Sequence, residues 1–337
     1  MSTKRLIMIL IAAGMLGTAA GFMILRKSGG APRSVPILMY HSVGPTNDSP
    51  WFVPAEAFRA HMGDLRREGF KAILPSDLVA HSKWGKPLPR KPVIVTFDDG
   101  YLCNLSVIEP ILKEHGMRAV IYLITGSVGA SPGERRAYEG KDCLVWPEIL
   151  AMQERGTFAF GGHSHSHFNL AASGDPLPDI AECLRQLQAH GVRWPYAFCY
   201  PFGQYKPETV KAVRAAGFRT AVVCEDAVAV IGPGRDLFTL PRVSVMGGRH
   251  EFKLAAADVD RQRNTLALRV AHEGVPMEIS ACLAGREKSW LPAREIGRGE
   301  FTLVFTLAGR GTEGLTHLEI WDKHRLFRLS TLKPAER

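Results

Sequence analysis

The chain has 337 residues, 46% hydrophobic and 22% charged, which is enough apolar material for one large domain, or a large and a small one, and excludes a disordered or fibrous polymer. A formal charge of +9 favours anionic partners, but no dense Lys/Arg run with interleaved aromatics occurs, which argues against nucleic acid. The six cysteines (Cys103, Cys143, Cys183, Cys199, Cys224 and Cys282) form no C-x-x-C pair and match no zinc ribbon or dense disulfide scaffold, so no disulfide is assigned.

Lys4 and Arg5 precede an uncharged run, Leu6–Leu25, closed by Arg26 and Lys27. The run has about the ~20 residues that span a bilayer core. An uncleaved anchor uses all of it, whereas a signal peptide cut near Thr18–Ala20 uses only the first half; the full length and flanking charges favour the anchor. Either reading puts residues 1–30 to targeting, with the membrane as a partner; basic residues flank both ends, so charge does not set the orientation, and the rest of the chain lies outside the cytoplasm if the N-terminus stays inside. Gly29, Gly30, Pro32 and Ser34 then read as a linker.

Strand and helix signals alternate from there. Apolar runs predict strands at Val35–Tyr40, Ala72–Leu74, Pro92–Phe97, Ala119–Ile124, Thr157–Phe160, Ala197–Tyr200 and Thr220–Cys224. Helical spacing predicts helices at Pro54–Gly69, Leu105–His115, Trp146–Arg155, Asp179–His190 and Pro207–Ala216, with Gly69, Gly116 and Gly156 as stops. Ser127–Asp142 reads as a polar loop. Continuous apolar strands separated by helices imply a parallel sheet covered on its faces over residues 31–250, with enough repeats to close into a barrel. Beyond it the period changes to two: Leu266, Leu268 and Val270; Met277, Ile279, Ala281 and Leu283; Phe301, Leu303, Phe305 and Leu307. Residues 251–337 therefore read as a small antiparallel all-β domain.

Three places carry chemistry. Thr96-Phe97-Asp98-Asp99-Gly100 ends a buried strand, where two acids are costly unless paired or metal-bound. Their side chains diverge, so one is suited to ligate and the other to handle protons; alone, such a pair also reads as a turn or cap. Gly161-Gly162-His163-Ser164-His165-Ser166-His167 follows another strand. One helical turn would put His163 and His167 on one face, suited to zinc or a similar divalent ion, with His165 pointing elsewhere. Tyr200-Pro201-Phe202-Gly203 follows a third strand and reads as a turn exposing backbone N–H donors suited to an oxyanion.

In this order the three motifs resemble the NodB-type polysaccharide deacetylases, carbohydrate esterase family four, over roughly residues 35–245. Val35-Pro36-Ile37-Leu38-Met39-Tyr40-His41 is similar to the opening strand of the exopolysaccharide-deacetylase branch. The resemblance implies an α/β fold, a distorted (β/α) barrel. It implies Asp98 as general base and Asp99, His163 and His167 as ligands of a divalent metal, Zn2+ first. The Phe202 N–H takes the oxyanion position, beside Tyr200, and Trp146 matches a helix-opening tryptophan near the groove. The chain departs from the pattern twice. Cys199 stands where many members have the arginine that orients the base, and Arg242 in Leu240-Pro241-Arg242-Val243 is the expected substitute. Val243-Ser244-Val245 lacks the late histidine that serves as general acid, a role then assigned to His41 at the end of the first strand.

The implied function is N-deacetylation of a polysaccharide containing N-acetylhexosamine, with exopolysaccharide-assembly proteins as further partners. An O-acetyl glycan esterase and a non-catalytic glycan-binding barrel are the alternatives; the two departures support the second, and the intact acids and histidines oppose it.

Overall fold

The computed structural model describes residues 32–44, 49 and 51–247 in full and, beyond them, the backbone of eight strands between 251 and 332. Seven strands alternate with helices: β1 (Ile37–Tyr40), β2 (Pro92–Phe97), β3 (Ala119–Leu123), β4 (Phe158–Gly162), β5 (Ala197–Cys199), β6 (Thr220–Asp226) and β7 (Leu240–Ser244). Each pairs in parallel with its successor, and β7 returns to β1, so the sheet closes into a ring in chain order. Strand direction therefore gives the barrel two distinct poles, and loops leaving the C-terminal ends of the strands converge on one of them.

The predicted first strand divides at Pro36. Arg33–Val35 pairs antiparallel with Ala229–Ile231, and only Ile37–Tyr40 joins the barrel. The proline has no N–H for a ladder, although its carbonyl accepts a bond from the Ile94 N–H. The strand expected at Ala72–Leu74 is the shorter Lys71–Ala72, paired with the start of β2.

The helices are α1 (Ala55–Arg67), α2 (Pro75–Trp84), α3 (Glu109–His115), α4 (Trp146–Arg155), α5 (Leu177–Ala189) and α6 (Pro207–Ala216). Helix α1 buries Phe58, Met62 and Leu65 along one stripe. Helix α4 stops at Gly156, whose left-handed φ of 77° is cheap only for glycine. Helix α2 escaped the sequence reading because its apolar residues are few. It earns its place by one contact: Leu78, with Ile73 and Leu88, enters the cluster formed by Ile37, Ile94, Val120, Ala197 and Leu240 inside the barrel. Helix α2 is thus the plug at the N-terminal pole.

The barrel interior is set by the period of two along strands. Ile94, Thr96 and Asp98 follow one another along β2 and its end; Ala197 and Cys199 do so on β5, and Leu240 and Arg242 on β7. The lower layer is apolar, and the layer above it brings Thr96, Cys199 and Arg242 together. Beyond residue 250 two antiparallel four-stranded sheets appear, as the alternation predicts. One is ordered β8 (Glu251–Asp260), β9 (Thr265–Glu273), β13 (Glu300–Thr306), β12 (Arg294–Gly297). The other is β11 (Leu291–Pro292), β10 (Ile279–Ala284), β14 (His317–Asp322), β15 (Arg328–Leu332). Leu266, Leu268 and Val270 stand opposite Phe305, Leu303 and Phe301. Among the described residues no helix is long and apolar enough to cross a membrane, and Leu6–Leu25 lies outside them.

Gly161 and Gly162, expected to follow the strand, are the last residues of β4. A Cβ on Gly161 would lie 2.5 Å from the Ala197 carbonyl oxygen of β5, so only glycine lets the two strands approach. Gly161→Ala is expected to destabilise the barrel by about 1–3 kcal/mol. Gly133→Ala, whose Cβ meets nothing closer than 4.0 Å, should leave the midpoint of thermal unfolding unmoved. Equal melting of the two variants would contradict this account of the Gly-Gly pair.

Candidate active site

Asp98 is fully buried at the end of β2 and is gripped by Arg242, whose side chain is also fully buried. Two parallel bonds join them, Nη1 to Oδ1 and Nη2 to Oδ2, each 2.8 Å. The guanidinium also donates from Nε to the Val223 carbonyl at 3.0 Å and from Nη1 to Thr96 Oγ1 at 3.1 Å. Thr96 is free to accept because its own hydroxyl proton goes to the Leu38 carbonyl. Nη2 also donates to Cys199 Sγ at 3.2 Å, so the guanidinium lies against the position where the arginine was expected. Burial alone would raise the Asp98 carboxyl, but the Arg242 charge and bonds reverse this and hold it well below the usual carboxylate range.

Asp99 goes the other way. Simple alternation would point it out of the barrel, but its φ of 70° is left-handed and turns its carboxylate toward His163 and His167. That conformation is rare for a non-glycine residue and marks a functional constraint. Burial, with the nearby Asp98 charge, pushes the Asp99 carboxyl up to about 8. The Tyr101 hydroxyl hydrogen-bonds to it and opposes this.

His163 and His167 do not lie on a helical turn. Residues 163–169 form an irregular loop, with left-handed φ at Ser164 (64°) and His167 (53°). The His167 N–H donates to Ser164 Oγ at 2.8 Å, and the Asp179 carboxylate at the start of α5 accepts the N–H groups of His165 and Ser166. This closes the loop so that both imidazoles converge, while His165 turns away to Thr125 Oγ1 at 3.0 Å. The His163 Nδ1–H donates to the Cys199 carbonyl at 2.8 Å, leaving the Nε2 lone pair toward Asp99. Tyr138 supports His167 in the same way, its hydroxyl 2.6 Å from Nδ1. Burial holds the His163 and His167 imidazoles down at about 4 and about 3.

Asp99 Oδ1 lies 3.6 Å from His163 Nε2 and 3.8 Å from His167 Nε2, and the two Nε2 atoms are 3.2 Å apart. Ligands bonded to one zinc-sized ion at ~2.0–2.2 Å stand roughly 3–3.6 Å from one another, so these three atoms need only a small contraction. The donor set fits chemically as well. It is a buried carboxylate with no Lys or Arg ion pair among the described residues, and two neutral imidazoles whose outer nitrogens are already occupied. Asp99, His163 and His167 are able to hold a divalent metal; Asp98, His163 and Cys199 also cluster, but Asp98 is taken up by Arg242.

His41 follows β1 with its Nε2 3.9 Å from Asp98 Oδ2 and its ring 4.7 Å from the Trp51 ring. Its Nδ1 is buried without a hydrogen-bond partner among the described residues, and burial pushes the imidazole down to about 4. Phe202 has a φ of 58°, is 56% exposed, and rests its ring 4.7 Å from His167. Two residues expected at the substrate face the interior. Tyr200 is fully buried between Phe198 and Tyr205, and Trp146 is buried with its indole stacked 3.9 Å from the His190 ring. Neither presents a surface to a polymer. Sequence reading missed Tyr101, one residue past the acidic motif, and Tyr138, which lies on the short hairpin Ala137–Asp142 inside the stretch read as a loop.

Replacing Arg242 by Gln should leave the Asp98 carboxylate buried and unpaired, at a cost of about 3–5 kcal/mol. In the wild type Asp98 is depressed below its ordinary 3.8, so its contribution is complete above that pH and is lost as pH falls through the folded value. In Arg242→Gln burial raises it, the sign inverts, and the stability deficit against wild type should shrink from pH 7 toward pH 4. A deficit independent of pH would contradict this. His163→Ala should lose most of the bound metal by elemental analysis, and unchanged metal content would reject that ligand.

Residues 85–221 match the family model for polysaccharide deacetylases. The putative polysaccharide deacetylase YxkH of Bacillus subtilis is 29% identical over 219 residues, 64% of this chain and 73% of that protein. The poly-beta-1,6-N-acetyl-D-glucosamine N-deacetylase of Escherichia coli K12 is 22% identical over 57% of this chain but only 33% of its own length. Among solved structures, IcaB from Ammonifex degensii aligns with a TM-score of 0.56 at 26% identity, covering 63% of this chain and 91% of that one. Streptococcus pyogenes PplD aligns with a TM-score of 0.56 at 21% identity, covering 65% and 95%, a likeness of fold. By its matched segment, its seven-stranded barrel and its relatives, this chain is similar to the polysaccharide deacetylases.

Proposed function

We propose that this chain is a metal-dependent hydrolase that removes N-acetyl groups from a polysaccharide containing N-acetylhexosamine. The convergence of Asp99, His163 and His167 beside an Arg242-clamped Asp98 carries the reading. The names of the Escherichia coli and Staphylococcus aureus relatives support poly-N-acetylglucosamine as the substrate class. The donor set of two imidazoles and one carboxylate favours Zn2+, which when bound supplies Lewis acidity toward the acetyl carbonyl and lowers the pKa of a water.

In this reading the protein's own groups divide the proton work. Asp98 stays ionised across the physiological range, so its carboxylate is always ready to accept a proton from the attacking water. The low pKa that ensures this makes it a weak base, so the water has to be acidified by its surroundings. His41 begins neutral, since burial holds it near 4. It therefore has to gain a proton before giving one to the leaving amine, and Asp98, 3.9 Å away, is the source at hand. The Phe202 N–H, in the turn after β5, serves as a donor to the developing oxyanion. The uncharged Leu6–Leu25 run tethers the barrel on the extracytoplasmic side of the membrane.

Acetate release should be measured on β-1,6-linked N-acetylglucosamine oligomers, chitooligomers and acetylated xylan, with metal added and chelated. The N-acetylated oligomers should yield acetate, chelation should abolish it, and Asp98→Asn should lower turnover by about 10²-fold or more with metal still bound. Acetate only from xylan would make the protein an O-acetyl esterase. Near-full activity in Asp98→Asn would reject the base.

A further inference from the structure

The pole opposite the active site carries a second surface. Helix α2 plugs that end of the barrel through Leu78 and terminates in Trp84, which is 70% exposed with Lys83 Nζ 5.2 Å above its ring. An indole so exposed is unusual on a surface that faces only water. The residues that lead into the barrel strands at the same pole are basic: Arg90 and Lys91 before β2, Arg118 before β3 and Arg219 before β6, all exposed. Arg90, Arg118 and Arg219 have no acidic partner among the described residues, whereas Lys86 and Lys91 pair with Asp77 and Glu68.

The chain enters the barrel at this same place. Arg33 Nη2 donates to the carbonyls of Pro89 and Arg90 at 2.9 and 3.0 Å, and Pro32 packs against Gly232. Between Leu25, the last residue of the uncharged run, and Pro32 lie only Arg26 to Ala31. Even fully extended, that connection spans about 25 Å. A barrel of this size is about 40 Å across, so the tether is shorter than the body it holds.

We infer that the N-terminal pole, built from the end of α2 and the basic residues before β2, β3 and β6, docks on the anionic headgroups of the membrane that holds the Leu6–Leu25 run, with the active site facing away. The inference rests on that run being retained in the bilayer. Trp84 supplies the amphipathic ring that favours the headgroup layer, and the unpaired arginines supply the charge. The consequence for function is geometric: Asp98, Asp99, His163 and His167 lie at the end of the barrel away from the bilayer.

The test uses the full chain in lipid nanodiscs of phosphatidylcholine, with or without about 30% phosphatidylglycerol, compared with detergent. Amide exchange over residues 82–91 should slow by about fivefold or more in the anionic discs, with little change in phosphatidylcholine alone. Lys83→Glu with Arg90→Glu should abolish the slowing while the protein stays in the discs and keeps its activity on soluble oligomers. Unchanged exchange in anionic discs that retain the protein would overturn the docking and leave the anchor standing. Equal protection in both lipids would overturn the charge recognition, and a chain that fails to enter the discs would remove the premise itself.

Discussion

A guanidinium sealed inside a barrel is tolerable only if every donor finds an acceptor and its charge finds an opposite one. Arg242 meets both demands, and in doing so it ties together β2 through Thr96 and Asp98, β6 through Val223, and β5 through Cys199. The same contacts decide the chemistry. They fix the plane of the Asp98 carboxylate and favour its charged form.

Two neighbouring acids thereby acquire opposite characters from geometry alone. Asp98 continues the inward alternation of β2 and meets Arg242. Asp99 is turned by a left-handed φ into a pocket of imidazoles, where burial and the Asp98 charge make its own charge costly until a cation arrives. Each of the three convergent groups has an outer partner: the Cys199 carbonyl for His163, the Tyr138 hydroxyl for His167 and the Tyr101 hydroxyl for Asp99. Such partners would orient these three groups in advance of a metal's binding.

How much of this was legible in the sequence depended on how local the signal was. The apolar strands and the acids and histidines at their ends were readable, because a buried strand and a motif each fit within a few residues. Arg242 was readable as a substitute for the residue missing at Cys199, although its partnership with Asp98 joins residues 144 positions apart. Helix α2 was not, since its role is a single leucine reaching into a cluster made by distant strands. Tyr138 was not, since a two-residue strand in a polar stretch has no period to detect. Tyr200 and Trp146 were assigned to the substrate by motif position, and their burial shows that a motif fixes a place along the chain without fixing the direction of a side chain. Likewise the His163–His167 spacing suggested a helical turn, but the convergence comes from an irregular loop held by Ser164 and Asp179.

The central claim is that one divalent cation binds between a strand-end carboxylate and two loop imidazoles. Anomalous diffraction from crystals of the metal-loaded protein tests it most directly. A single strong peak within ~2.0–2.3 Å of Asp99 Oδ1, His163 Nε2 and His167 Nε2 is the predicted result. A peak bound by other residues, with these three side chains left apart, would contradict it.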